Sequence, residues 1–171
     1  MSERHVTSQF DADGCKEARF HEAGHAVGAI RSGIGVHPNG IKIDAHCSGV
    51  TYIEELRLEQ QTEDWCLRRA TVKLSGAAAE TRMRNQVFHP ETLESDCHYF
   101  QDYKEARELL WKFEVYRGNR QATRVDENLN EALVKAHNVI SENWSDVERV
   151  ARALLSKGAL TSSDIRRILE V

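Results

Sequence analysis

Two rhythms of apolar and polar positions run along the chain, and the places where one gives way to the other predict its elements. In "CKEARFHEAGHAVGAIRS", Phe20, Ala23, Val27 and Ile30 recur at three- and four-residue spacing, which predicts a helix. Gly33 and Gly35 in "SGIG" supply its end, and "HPNG" reads as the turn that follows. The rhythm then shortens to two: Ile41 and Ile43 alternate with Lys42 and Asp44, and Val50 to Ile53 is β-branched and aromatic, which predicts a hairpin or two strands of a small sheet. From Gln61 onward the helical spacing returns, with Trp65, Leu67, Ala70, Leu74, Ala77 and Ala78 as its buried stripe. "RNQVFHPETLESD" reads as a linker broken by Pro90, followed by helices over 96–115, 124–157 and 161–171. The expected class is mainly α within α+β, with one small β-sheet or hairpin.

Composition narrows this picture. A chain of 171 residues, 40% hydrophobic, buries one sizeable core, so residues 13–171 read as one domain behind a polar, unpatterned N-terminus at 1–12 that is expected to be flexible. A formal charge of -4 without clustered Lys and Arg argues against a nucleic-acid or anionic-membrane partner. No apolar run approaches the roughly 20 residues of a membrane span, and the start lacks a signal-peptide core, so the expected location is cytoplasmic. Cys15, Cys47, Cys66 and Cys97 form no C-x-x-C pair, and reduced thiols are the expectation there. No phosphate-loop or dinucleotide fingerprint occurs, so any ATP-linked work falls to another chain.

The chemistry concentrates in "FHEAGHAVGA". Residues four apart on a helix are about 40° apart around the axis and about 6 Å along it, so His21 and His25 share a face at chelating distance. Zinc takes neutral imidazole nitrogens, and a catalytic zinc site uses three protein ligands. Glu22, beside the first ligand, is then placed to take a proton from the attacking water and pass it to a leaving amine. Ala23, Gly24, Ala26 and Gly28 keep this helix slim, and two helical glycines cost about 1 kcal/mol each, which points to a packing or access requirement. Spacing alone leaves the third ligand open among Glu54, Glu55, Glu80, Glu91, Glu94, Asp96, His98 and Asp102.

"FHEAGHAVGAI", "IKIDAHCSGVTYIEE", "KLSGAAAE", "ESDCHYFQDYKEARELL" and "LLSKGALTSSDIRRILE", in that order, resemble the peptidase domain of the FtsH family of ATP-dependent zinc proteases. The resemblance spans nearly the whole chain from Phe20 and implies a helical, zincin-like metallopeptidase domain. It implies His21 and His25 as imidazole ligands, Glu22 as base, Asp96 as third ligand, and Glu80 beside one imidazole, holding its tautomer. Asp96 also reads as a helix N-cap. Gly49, Val50, Thr51 and Tyr52 would form an edge strand to which an extended substrate adds by backbone hydrogen bonds. Departures stand beside it: Ser95 where the family commonly has Asn, Ala77 where it has Arg, no ATPase module and no membrane anchor. Cys97 and His98 are unusual there and read as incidental helix residues.

The expected activity is zinc-dependent hydrolysis of flexible or unfolded polypeptides without ATP, with a polypeptide as substrate and a separate ATPase or a second copy of the chain as possible partners. The rival is a non-catalytic interaction module that keeps the fold and the metal. A third reading uses Glu54 as the last ligand in a hydrolase of another lineage.

Overall fold

A computed structural model describes residues 15–118 and 122–171. Helix α1 (Lys16–Arg31) leads into strands β1 (Val36–Ile43) and β2 (Gly49–Ile53), and after a single 3-10 turn at Leu58–Gln60 comes α2 (Glu63–Met83). The short α3 (Pro90–Ser95), α4 (Cys97–Tyr116), α5 (Ala122–Glu142), α6 (Trp144–Lys157), β3 (Ala159–Leu160) and α7 (Ser162–Leu169) complete the chain. The fold is mainly helical with one three-stranded antiparallel sheet ordered β2-β1-β3, which leaves β2 at an edge.

Helix α1 is buried on nearly every side, from Ala23 to Ala29 without interruption, because it lies between α2, the sheet and α6. Its small residues make that possible. A Cβ on Gly24 would stand 2.6 Å from Ala79 Cβ, and one on Gly28 would stand 2.5 Å from Ser75 Oγ, so α2 crosses where only hydrogens intervene. Helix α2 starts at Thr62, whose hydroxyl accepts from the Trp65 N–H at 3.1 Å, and buries Leu67, Ala70, Leu74, Ala77 and Ala78 against its neighbours. Helix α6 is held to α1 by Phe20 stacked on Trp144 at 5.5 Å and by Arg31 paired with Asp146 at 2.5 Å.

Several local expectations change. "HPNG" lies inside β1, where the pairing with β2 shifts register between Val36 and Ile41: the extra residues are absorbed as a bulge, and Gly40 takes a positive φ of 63°. Pro90 opens α3 rather than breaking a linker, since a proline at the first helical position loses no hydrogen bond. The continuous helix expected over 124–157 divides at Asn143, whose side chain donates to the Val139 carbonyl at 2.8 Å, and the turn brings Trp144 onto Phe20. The two residues of β3 join β1 to the end of α6.

Reduced thiols do not hold throughout: Cys15 and Cys47 form a disulfide, tying the start of α1 to the β1–β2 turn, while Cys66 is free and buried. Among the described residues no helix is long and apolar enough to cross a membrane. Residues 1–12, expected to be flexible, lie outside the described residues.

Candidate metal centre

His21 and His25 leave α1 on one face, as their spacing requires, and each ring is held from behind. His25 Nδ1 is 2.8 Å from the Val72 carbonyl, an obligate acceptor, so the ring donates there and turns an unprotonated Nε2 outward. His21 Nδ1 is 3.0 Å from Glu80 Oε2, and a donation to that carboxylate likewise leaves its Nε2 bare. The two Nε2 atoms are 3.0 Å apart. Asp102 completes the group: its Oδ2 is 2.8 Å from His21 Nε2 and 3.2 Å from His25 Nε2.

Two imidazole lone pairs and a carboxylate oxygen facing one another repel unless something positive lies among them. The three separations are close to the edge of a tetrahedron with bonds of about 2.0–2.1 Å, about 3.3 Å, so the donor set fits a zinc ion in chemistry and in size. Without a cation, a proton has to serve. Burial lowers the His21 pKa, but the carboxylates of Asp102, Glu80 and Glu22 outweigh it and push it up to about 10. Asp102 is held well below the usual carboxylate range, because His25 and His21 overcome the burial that would raise it.

The aspartate differs from the one expected. Asp96 stands outside the cluster as the N-cap of α4, its Oδ1 accepting from the His98 N–H at 2.9 Å. Its side chain turns back onto its own helix. Asp102 lies in the first half of α4 on the stripe formed by Tyr99, Ala106, Leu110 and Phe113, all buried. That stripe was the missed signal: a carboxylate in phase with an apolar helix face has to meet something buried. Glu54 is exposed at the end of β2, near Gly35, and joins no such group.

Glu80 stands behind His21, nearly fully buried. Its second oxygen has the Arg84 guanidinium 2.8 Å away, a charge contact off the hydrogen-bond axis. Gly76, one turn before it on α2, forms the floor of the centre. A Cβ there would stand 2.5 Å from His25 Nε2 and 2.8 Å from His21 Nε2.

Glu22 points the other way, toward β2. Thr51 Oγ1 donates to Glu22 Oε2 at 2.6 Å, and a Cβ on Gly49 would stand 2.5 Å from Glu22 Cγ. Gly49, Val50 and Thr51 therefore run beside the carboxylate, and the cleft over the two histidines and Asp102, about 280 Å³, is walled by them on one side and by α4 on the other. Tyr52 lies elsewhere, its ring 5.8 Å from Lys42 Nζ and 6.4 Å from the His37 ring. A second hollow of about 480 Å³ opens from the same place toward the Cys47 turn. That turn is braced by Asp44, whose carboxylate accepts from the N–H groups of His46 and Ser48. Those two bonds hold the Asp44 pKa below its ordinary value.

Comparison with models of known protein families gives no match, and comparison with curated proteins gives none either.

Proposed function

We propose that the chain is a zinc-dependent peptidase acting on flexible or unfolded polypeptides, with His21, His25 and Asp102 as ligands and Glu22 as base. The observation that carries the reading is the convergence of two imidazole nitrogens and a carboxylate oxygen beside a separate carboxylate that is not one of them. A structural zinc usually takes four protein ligands and needs no base. Zinc held there would act as a Lewis acid toward a peptide carbonyl and toward water.

The rest of the work falls to the chain's own side chains. Glu22 takes the proton of the attacking water and later gives it to the leaving nitrogen. Thr51 orients that carboxylate through its hydroxyl. Val72 and Glu80 fix the two ring tautomers, so that both Nε2 atoms stay available as ligands. The unpaired side of β2, at the sheet edge, takes an extended peptide by backbone hydrogen bonding beside Glu22, which gives loose sequence preference.

The resemblance to FtsH peptidase domains supports the same reading once Asp102 replaces Asp96 as the aspartate ligand. Cytoplasmic residence, the expectation from the sequence, is in tension with the Cys15–Cys47 disulfide, since such bonds persist in oxidising compartments.

The test is Glu22→Gln in the zinc-loaded chain, with casein as substrate. Retained zinc and fold with hydrolysis down by about 10²–10⁴-fold is the expected result. Turnover near wild type would end the assignment of Glu22, and zinc binding with no hydrolysis by the wild-type chain would favour the interaction module.

A further inference from the structure

A carbonyl carbon attacked by water passes its charge to oxygen, and that oxygen needs a donor aimed at it. In the cleft over the ligand atoms, Arg69 is bound to Glu55, and Lys73 to Glu105. Gln101 donates to Glu105 at 2.7 Å, and Thr51 donates to Glu22. His98 lines the same cleft, and its imidazole makes no hydrogen bond or ion pair with any described residue.

Its position is fixed although its ring is not. Asp96 caps the first turn of α4 through the His98 N–H, and Asp102 follows four residues later, so His98 and the aspartate ligand share one helix face. The ring is exposed and borders both hollows, as do His21, Glu22 and Gly49. Glu22 leans on β2 while His98 stands on α4, so a peptide laid along β2 has the base on the strand side and His98 across from it.

We propose that His98 is a catalytic residue that donates its N–H to the carbonyl oxygen of the peptide bond under attack. This rests on the peptidase reading. Water forms the new C–O bond and loses a proton to Glu22, while the carbonyl π pair moves onto oxygen, where His98 hydrogen-bonds it without giving up its own proton. Collapse restores the carbonyl and breaks the C–N bond, and Glu22 protonates the departing nitrogen.

The experiment uses the zinc-loaded full chain as wild type, His98→Ala and His98→Gln, with three readouts: zinc affinity, kcat and KM on a flexible peptide, and calorimetric binding of a peptide phosphonate, whose tetrahedral anion imitates the charged oxygen. For His98→Ala, kcat falls by about 10²–10³-fold, phosphonate binding weakens by a similar factor, and KM and zinc affinity hold. His98→Gln, which keeps a neutral donor, recovers part of both losses. Unchanged kcat and unchanged phosphonate binding in His98→Ala overturn the proposal, and so does loss of zinc, which would make His98 a ligand. A wild-type chain that binds zinc but neither cleaves peptide nor holds the phosphonate overturns the peptidase reading itself, and this inference with it.

Discussion

Gly76→Ala adds one methyl group at the floor of the centre. That carbon would stand 2.5 Å from His25 Nε2, 2.6 Å from His25 Cε1 and 2.8 Å from His21 Nε2. Ordinary contact needs about 3.5 Å, so the imidazoles must retreat by about 1 Å. Neither ring is free to do so: His25 is anchored to the Val72 carbonyl and His21 to Glu80. A metal site tolerates ligand displacements of about 0.2 Å, so a shift five times larger removes the convergence. Zinc affinity is expected to fall by about 100-fold or more, at or beyond the upper range for disturbing the groups that orient ligands. Stability responds differently. The alanine favours the helix by about 1 kcal/mol, against about 1–3 kcal/mol for overpacking, so the zinc-free protein loses at most about 2 kcal/mol.

Competition titration against a chromophoric chelator reads the affinity, and thermal melts of the zinc-free protein read the stability. Gly28→Ala is the control: its Cβ would meet Ser75 Oγ at 2.5 Å on the same α1–α2 interface, away from the ligand atoms, so it should lose stability yet keep zinc. Wild-type zinc affinity in Gly76→Ala would refute the geometry described for the two rings.

Two further outcomes follow from the parts around the centre. Breaking the Cys15–Cys47 bond, whose partners are 32 residues apart, by Cys47→Ser should cost about 3–4 kcal/mol by loop entropy and lower the melting temperature; an unchanged melt under reducing and oxidising conditions would contradict the pairing. Asp146, buried and paired with Arg31 and Arg149, is held below its ordinary 3.8, so its stabilisation is complete above that value and fades as pH falls through the lower folded value. Asp146→Asn should therefore cost about 1–3 kcal/mol at pH 7 and much less near pH 2, read from melts across that range; an equal cost at both would contradict the ion pair.

The parts of the site that were legible in the sequence are the local ones. His21, Glu22 and His25 lie within five residues of one helix, where the α-helical period alone decides which side chains share a face. The slim face made by Gly24 and Gly28 was legible for the same reason, and the strand over Val50 to Ile53 followed from a β-branched and aromatic run, whereas its place at an edge came from the resemblance alone. The aspartate of the cluster was not legible, because it comes from a helix far along the chain, and two aspartates six residues apart compete for the place. What separates them is helical phase: Asp96 precedes α4 and satisfies its first turn, whereas Asp102 sits inside α4 on the buried stripe. His98 was discounted because an isolated histidine carries no pattern, and what singles it out in the structure is an exposed imidazole in the cleft with no hydrogen bond or ion pair to any described residue. The disulfide has no spacing signature, and β3, at two residues, is too short for one.

Whether His21, His25 and Asp102 together hold a metal is read from the zinc content per folded chain in wild type, Asp102→Ala and Asp96→Ala. About one zinc per chain is expected in wild type, with near-complete loss in Asp102→Ala. Asp96→Ala, which removes only a helix cap, should keep its zinc while losing about 1 kcal/mol of stability. Zinc retained in Asp102→Ala, or lost in a folded Asp96→Ala, would contradict the account.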